Sequence, residues 1–274
     1  MDSLKTPIRV LGVIPARMSS GRFPGKPLAK INGIPMLGHC YFRSKRSSAL
    51  DALYVATCDQ EIFNYVARLG GKVVMTRDDH EMCMDRVVEA TQKIENDLGY
   101  KVETVVNIQG DQPMIFPEMI DHALRPLRED PTLLCSTMME KSKSFEEHDD
   151  PNRIKIVVDK KNYALFMSRA PIPSRKKWKK PIPLPVFIHV AITSFRREFL
   201  MEFGAIPMSP LEKVESVDYL RILENGLRLK MVLTEIPTET VDTPKDLKKV
   251  EDLMKNDPLV KKYLKAAKVD VSPF

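Results

Sequence analysis

Short apolar runs alternate with amphipathic stretches through the first half of the chain, and this alternation constrains the fold more than any other feature. The runs are Val10 to Ile14, Leu53 to Thr57, Lys72 to Thr76 and Thr104 to Gln109. Between them Met36 to Ala49, Gln60 to Leu69 and Asp85 to Gly99 carry apolar residues at helical spacing. Gly70-Gly71 and Pro113 punctuate the pattern where elements should end. Strand and helix in strict succession predict a parallel sheet with helices on both faces. A chain of 274 residues is long enough for one large α/β domain with a smaller subdomain and a substantial core.

The first predicted strand empties into Val13-Ile14-Pro15-Ala16-Arg17-Met18-Ser19-Ser20-Gly21-Arg22-Phe23-Pro24-Gly25-Lys26-Pro27-Leu28. Backbone N–H groups in a Gly/Ser turn can converge on phosphate oxygens, and Arg17, Arg22 and Lys26 supply the countercharge for a triphosphate. A solvated basic loop is the alternative. Its place after the first strand favours a ligand loop, because open α/β sheets bind beyond the carboxyl ends of their strands. Two familiar phosphate motifs do not fit. Gly21 and Gly25 are too close for a Walker loop and Pro27 follows Lys26; Pro24 and Pro27 oppose the early helix of a dinucleotide fingerprint.

Further candidates follow in chain order. The Thr104 to Gln109 run stops at Gly110-Asp111-Gln112-Pro113, and an aspartate directly after a central parallel strand suits either a metal on bound phosphates or the cap of a helix from Pro117 to Arg128. Ile154 to Asp159 and Tyr163 to Ser168 read as a hairpin joined by Lys160-Lys161-Asn162, followed by a basic, proline-rich loop from Ser174 to Pro185 and a strand from Val186 to Thr193. Ser209-Pro210-Leu211-Glu212 opens a helix running to about Asn225, with Gly226 as its terminator. Leu229 to Thr234 is a strand. Asp242-Thr243-Pro244 begins the last long helix, as a cap or as something more. Lys255 to Phe274 reads as a peripheral helix with a frayed end. No internal repeat is found.

The totals exclude several classes. Net charge is +6, but 37 acids are interspersed among 43 bases and aromatics are few, which fits anionic substrates better than a nucleic-acid groove. Cys40, Cys58, Cys83 and Cys135 form no C-x-x-C pair, so neither a zinc site nor a disulfide framework is indicated, and a reducing cytoplasm is expected. No apolar run reaches signal-peptide or membrane-span length, so no membrane insertion is expected.

The string P-A-R-x-x-S-x-R-x-P-G-K-P-L resembles the signature of the sugar nucleotidyltransferases that activate acidic sugars with CTP, most closely the CMP-Kdo synthetase (3-deoxy-manno-octulosonate cytidylyltransferase) family. Val106-Asn107-Ile108-Gln109-Gly110-Asp111-Gln112-Pro113, the hairpin region with Ser168-Arg169-Ala170 and His189, and Val241-Asp242-Thr243-Pro244-Lys245-Asp246-Leu247 resemble later signatures of that family, in order. The resemblance implies a Rossmann-like nucleotidyltransferase fold with a smaller mixed β sugar-binding and dimerisation subdomain. Residues 1–135 would form the nucleotide-binding part, 136–205 the inserted subdomain, and 206–274 the return and C-terminal helical tail. It implies Mg²⁺-dependent transfer of CMP from CTP to a Kdo-like acid with loss of pyrophosphate, for lipopolysaccharide or surface-glycan synthesis, by a homodimer.

By the same resemblance Arg17, Lys26, Asp111 and Asp242 are the catalytic set, with Asp111 and Asp242 as the metal ligands. Pro15, Ala16, Arg17, Ser19, Ser20, Arg22, Lys26, Arg77, Arg86 and Gln109 would hold the nucleotide. Arg169 would meet the sugar carboxylate, and Gln109, His189, Glu212 and Glu215 its hydroxyls. No protein nucleophile is indicated. One departure stands out: where the family usually has a small polar S-G-T-E-R segment, this chain has Met82-Cys83-Met84-Asp85-Arg86. Bulk near the base and sugar leaves open a different acid, such as an amino derivative of Kdo or a nonulosonic acid, or a non-catalytic nucleotide-binding relative.

Overall fold

The computed structural model describes residues 7–179 and 185–267. In chain order the elements are β1 (Val10–Pro15), β2 (Lys30–Ile31), β3 (Ile34–Pro35), α1 (Met36–Ser44), β4 (Ala52–Thr57), α2 (Gln60–Arg68), β5 (Lys72–Met75), α3 (Cys83–Leu98), β6 (Thr104–Ile108) and α4 (Pro117–Glu129). There follow β7 (Cys135–Lys141), α5 (Phe145–Asp149), β8 (Lys155–Val158), β9 (Ala164–Ser168), β10 (Phe187–Arg196), α6 (Arg197–Ala205), α7 (Pro210–Glu215), α8 (Leu220–Glu224) and β11 (Lys230–Thr234). The chain closes with α9 (Pro244–Met254) and α10 (Pro258–Ala267). Two compact units result: residues 1–121 with 238–274, and residues 122–237.

The first unit carries the parallel sheet that the strand–helix alternation predicts. Its strands lie in the order β5-β4-β1-β6, and every neighbouring pair runs parallel, with Val13 facing Tyr54 on one side and Asn107 on the other. Such strands are covered on both faces and should be apolar throughout. Leu11, Val13 and Ile14 of β1 and Val105, Val106 and Ile108 of β6 are all fully buried. This order is that of a Rossmann half-fold, in which the chain reverses direction across the sheet beside the first strand, and ligands sit past the carboxyl ends there.

Three readings are corrected in this unit. α1 ends at Ser44 rather than Ala49. α3 begins at Cys83 rather than Asp85, so Cys83 and Met84 form its first turn. The C-terminal helix α10 is not peripheral: Tyr263 is 2 % exposed and stacks on Phe42 of α1, and its hydroxyl bonds His39 Nδ1. Val260 and Tyr263 lie three apart and share one face, which the lysines around them obscure in the sequence. The expected frayed end falls on residues 268–274, outside the described residues.

The second unit is a mixed sheet in the order β11-β7-β10-β8-β9. β11 and β7 are parallel, and the remaining pairs are antiparallel. The predicted hairpin is present as β8 and β9, with Lys155 opposite Ser168. Residues 180–184 of the basic loop lie outside the described residues. The helix expected from Ser209 to Asn225 is broken in two: Ser216 takes a left-handed conformation, φ +52°, which ends α7 after six residues. A capping box between Ser209 and Glu212 starts α7.

Candidate active site

β1 delivers the loop from Ala16 to Leu28 at its carboxyl end. The loop's backbone is held by its own hydrogen bonds and by the Asp59 carboxylate. Ala16 N–H donates to Ala56 O at 2.9 Å, prolonging the sheet, and Gly25 N–H closes back on Met18 O at 3.0 Å. Met18 N–H donates to Asp59 Oδ2 at 2.8 Å. Gly25 sits at φ +73° and opens a single 3₁₀ turn from Lys26 to Leu28. A side chain there would meet open space on most sides but would be strained by that φ. Gly110 solves a different problem: a Cβ at this position would stand 3.0 Å from Pro15 O, so glycine is what lets the ends of β1 and β6 approach.

That approach brings the loop cations onto two aspartates from distant parts of the chain. Lys26 Nζ donates to Asp111 Oδ2 at 2.8 Å and to Val241 O at 2.8 Å, and lies 3.6 Å from Asp242 Oδ1. Arg22 Nη2 donates to the same Asp242 oxygen at 2.7 Å. The two segments are also stitched by backbone, Val241 N–H donating to Asp111 O at 2.9 Å. Asp242 is fixed from behind by the cap of α9, where the Asp246 carboxylate accepts from the N–H groups of Asp242 and Thr243. Asp242 thus precedes the cap, and the cap residue itself is Thr243.

The electrostatics are those of two carboxylates sharing cations. Burial, then repulsion by Asp111, pushes the Asp242 carboxyl above its usual range, against the pull of Lys26 and Arg22. Burial would lower Lys26, but Asp111 and Asp242 outweigh it and the ammonium is held above its ordinary value. Lys26 is therefore a fixed cation and not a base. Two convergent oxygen donors, one of them reluctant to ionise, suit a hard divalent ion that completes its shell with water and phosphate oxygens. Among the described residues no third carboxylate, histidine or cysteine joins them.

The remaining candidates of this unit form a second cluster. Arg17 Nη1 donates to His80 O at 3.0 Å. His80 Nε2 bonds Glu89, and Glu89 also accepts from the Arg77 N–H and from Lys93. Burial acts to raise Glu89, yet these donors hold it down at about 2. Arg86 is 3 % exposed; its Nη1 bonds Thr76 and the Arg77 carbonyl, while Nη2 has no partner, a buried donor without an acceptor. Pro15 and Ala16 are buried, Ser19 is exposed, and the Arg77 guanidinium lies out toward Asp79. Gln109 is half-buried and its Nε2 donates to Cys83 Sγ at 2.9 Å.

In the second unit the four sugar candidates fall into three settings. Arg169 and Glu215 are joined: the Glu215 carboxylate accepts from Ser168 Oγ at 2.6 Å and from Arg169 N–H at 2.8 Å. The Arg169 guanidinium donates to the carbonyls of Glu215, Pro151 and Ser216. Lys155, missed in the sequence because a lysine in an alternating strand reads as its wet face, lies beneath them. Its ammonium donates at 2.6 Å each to Asp150 O, Arg153 O and Arg169 O. His189 is buried and its Nε2 faces Thr137 Oγ1 at 2.9 Å, in a chain that continues through Thr193 to Tyr219.

Glu212 does not fit the role expected of it. It is fully buried, and both carboxylate oxygens accept from Arg221, at 2.8 and 2.6 Å. One also caps the Ser209 N–H. A carboxylate so committed is a structural anchor for α7 and α8, and it is removed from the sugar-contact set.

Residues 11–235 match the family model described as cytidylyltransferase. A 3-deoxy-manno-octulosonate cytidylyltransferase of Syntrophotalea carbinolica is 41 % identical over 248 residues, 88 % of this chain and 97 % of that protein. One of Geotalea daltonii is 40 % identical over 91 % of this chain and 99 % of its own length. Among solved structures, a CMP:2-keto-3-deoxy-manno-octonic acid synthetase complexed with CTP superposes with a TM-score of 0.80 at 37 % identity, covering 90 % of this chain and 98 % of that one. With its parallel α/β sheet and this similarity over most of its length, the chain belongs to the cytidylyltransferase family of nucleotidyltransferases.

Proposed function

We propose that this protein transfers a CMP group from CTP to the anomeric hydroxyl of a Kdo-like acidic sugar, releasing pyrophosphate, in the synthesis of lipopolysaccharide or a related surface glycan. The observation that carries this reading is the convergence of Asp111 and Asp242 on the Lys26 ammonium at the mouth of the β1 loop. The similarity to proteins named for this activity supports the choice of nucleotide and of acid.

The reaction forms one bond from the sugar oxygen to the α-phosphorus and breaks the bond to the β-phosphate oxygen, and the hydroxyl proton leaves to solvent. Its difficulty is charge and alignment rather than covalent chemistry. Arg22 and Lys26 exchange their carboxylate partners for phosphate oxygens, while Arg17 and the N–H groups around Ser19 and Ser20 complete the cradle. Asp111 and Asp242, relieved of the cations, would hold a divalent ion, which we take to be Mg²⁺, and it would supply Lewis acidity to the phosphoryl transfer. Pro15 and Ala16 fix where the loop leaves the sheet. Arg77 and Arg86 serve the nucleotide, the latter through the donor that no protein group accepts. Arg169, Glu215, His189 and Gln109 serve the sugar, and residues 136–205 would also carry a homodimer contact. A cytoplasmic location follows from the substrates.

The test is pyrophosphate release from CTP and Mg²⁺ with Kdo, its 8-amino derivative, sialic acid or no acceptor, with UTP as the nucleotide control. Turnover with an octulosonate and CTP is expected. Folded protein that binds CTP but is silent with every acid would overturn the reading.

A further inference from the structure

Asn107 lies in β6 and Gln109 directly follows the strand's end, and the amides of both meet the first turn of α3. The first turn of α3 meets them with sulfur. Asn107 Nδ2 donates to Met84 Sδ at 3.3 Å, Gln109 Nε2 donates to Cys83 Sγ at 2.9 Å, and the Cys83 thiol points to Asn107 Oδ1 at 4.0 Å. Met84 and Asn107 have no exposed surface, whereas Cys83 and Gln109 are both half-buried. The bulk of Met84 therefore lies in the core, and what the departure at Met82-Cys83-Met84 changes at the surface of the site is the sulfur against Gln109.

We infer that Cys83 is a positioning residue that takes one N–H of the Gln109 carboxamide, fixing the rotation of the amide and leaving its carbonyl oxygen to accept from the acceptor sugar. A carbonyl so presented accepts only from a donor, so it selects an acid with a hydroxyl or ammonium at the matching position. An acid bearing an acceptor-only group there is disfavoured, because it sets two acceptors against each other at the Gln109 carbonyl. The role assigned to Cys83 concerns the acceptor; the loop cations Arg17, Arg22 and Lys26 bond His80 O, Asp242 and Asp111 respectively.

This inference rests on the acidic-sugar reading for its kinetic arm and stands apart from it for its spectroscopic arm. In Cys83→Ala, KM for the acceptor is expected to rise about five- to tenfold, the worth of one hydrogen bond, with kcat and the CTP KM within about twofold. Cys83→Ser, which keeps a short polar partner, should recover most of the loss. In a Gln109→Ala background, Cys83→Ala should add nothing, because the two residues act as one unit. Independently of turnover, the Gln109 side-chain amide of the unmodified protein should show slowed hydrogen exchange by NMR, lost in Cys83→Ala and retained in Cys83→Ser. Additive effects of the two alanines, a shift in CTP KM instead, or an unprotected Gln109 amide would each overturn the assignment. Absence of turnover in the unmodified protein, with the amide still protected, would sink the functional reading and leave the positioning contact standing.

Discussion

Lys26 is the residue on which the site turns, since its ammonium faces Asp111, Asp242 and the Val241 carbonyl at once. Lys26→Met keeps the bulk and removes the charge. Loss of a preorganised charge of this kind costs about 10² to 10³ in rate, so a fall of that size in kcat is expected with the fold retained, checked by steady-state kinetics and circular dichroism. Glu212 makes the opposite prediction. Its partner Arg221 has a side chain only 3 % exposed, and Glu212→Gln removes the carboxylate charge that this guanidinium bonds through two nitrogens. Denaturant titration should show a loss of about 3–5 kcal/mol, with acceptor KM unchanged in the protein that remains folded. The sequence showed Glu212 and Glu215 as equivalent acids in one predicted helix. What separates them is a contact to Arg221 across the break at Ser216, and no local pattern announces a partner nine residues away on another helix. Lys155 was hidden for a related reason, because three carbonyls brought together by two loops and a strand end are invisible until the chain is folded.

Among elements, α9 ties stability to the site. Its capping box joins Thr243 and Asp246, and Asp246 also accepts from the Asp242 N–H at 3.1 Å. Thr243→Ala should lower stability by about 1 kcal/mol, and it should weaken Mg²⁺ binding as well, because Asp242 loses its fixed backbone. Isothermal titration with Mg²⁺ and CTP checks this, and Lys248→Ala, on the same helix and exposed, should leave the affinity unchanged. The parallel strands of the first unit were legible because apolar runs bounded by Gly and Pro leave little choice. Element ends were not: α3 starts two residues early because Cys83 and Met84 pack toward β6, a tertiary gain that local patterning does not encode. The docking of α10 was masked by lysines flanking Val260 and Tyr263. Asp111 and Asp242 were legible as a pair only through resemblance, since each also reads as an ordinary helix-terminus acid.

For the whole molecule, acid stability follows from two buried histidines. The His39 Nε2–H donates to the Ile31 carbonyl, so Nδ1 accepts from Tyr263, and burial lowers its pKa from 6.5 to about 4. Burial likewise lowers His189 to about 3. Both folded pKa values lie below the unfolded one, so the unfolded chain binds more protons as the pH falls. The neutral-histidine contribution is therefore complete above about pH 6.5 and is lost as the pH drops through 4 and then 3. Unfolding free energy measured from pH 7.5 to 4 should decline across that window, and His39→Gln should flatten the decline. The charge on Asp242 works in the other direction on function: its raised carboxyl ionises late, so Mg²⁺ affinity should strengthen as pH rises through and above the ordinary carboxylate range.

The most direct measurement is pyrophosphate release from CTP, Mg²⁺ and Kdo by the unmodified protein beside Asp111→Asn and Asp242→Asn, with folding verified for all three. The account requires turnover in the first and a loss of at least about 10² in each variant, accompanied by weakened Mg²⁺ binding. Undiminished turnover in either variant would contradict the placement of the metal and phosphate chemistry at the meeting point of these two aspartates and Lys26.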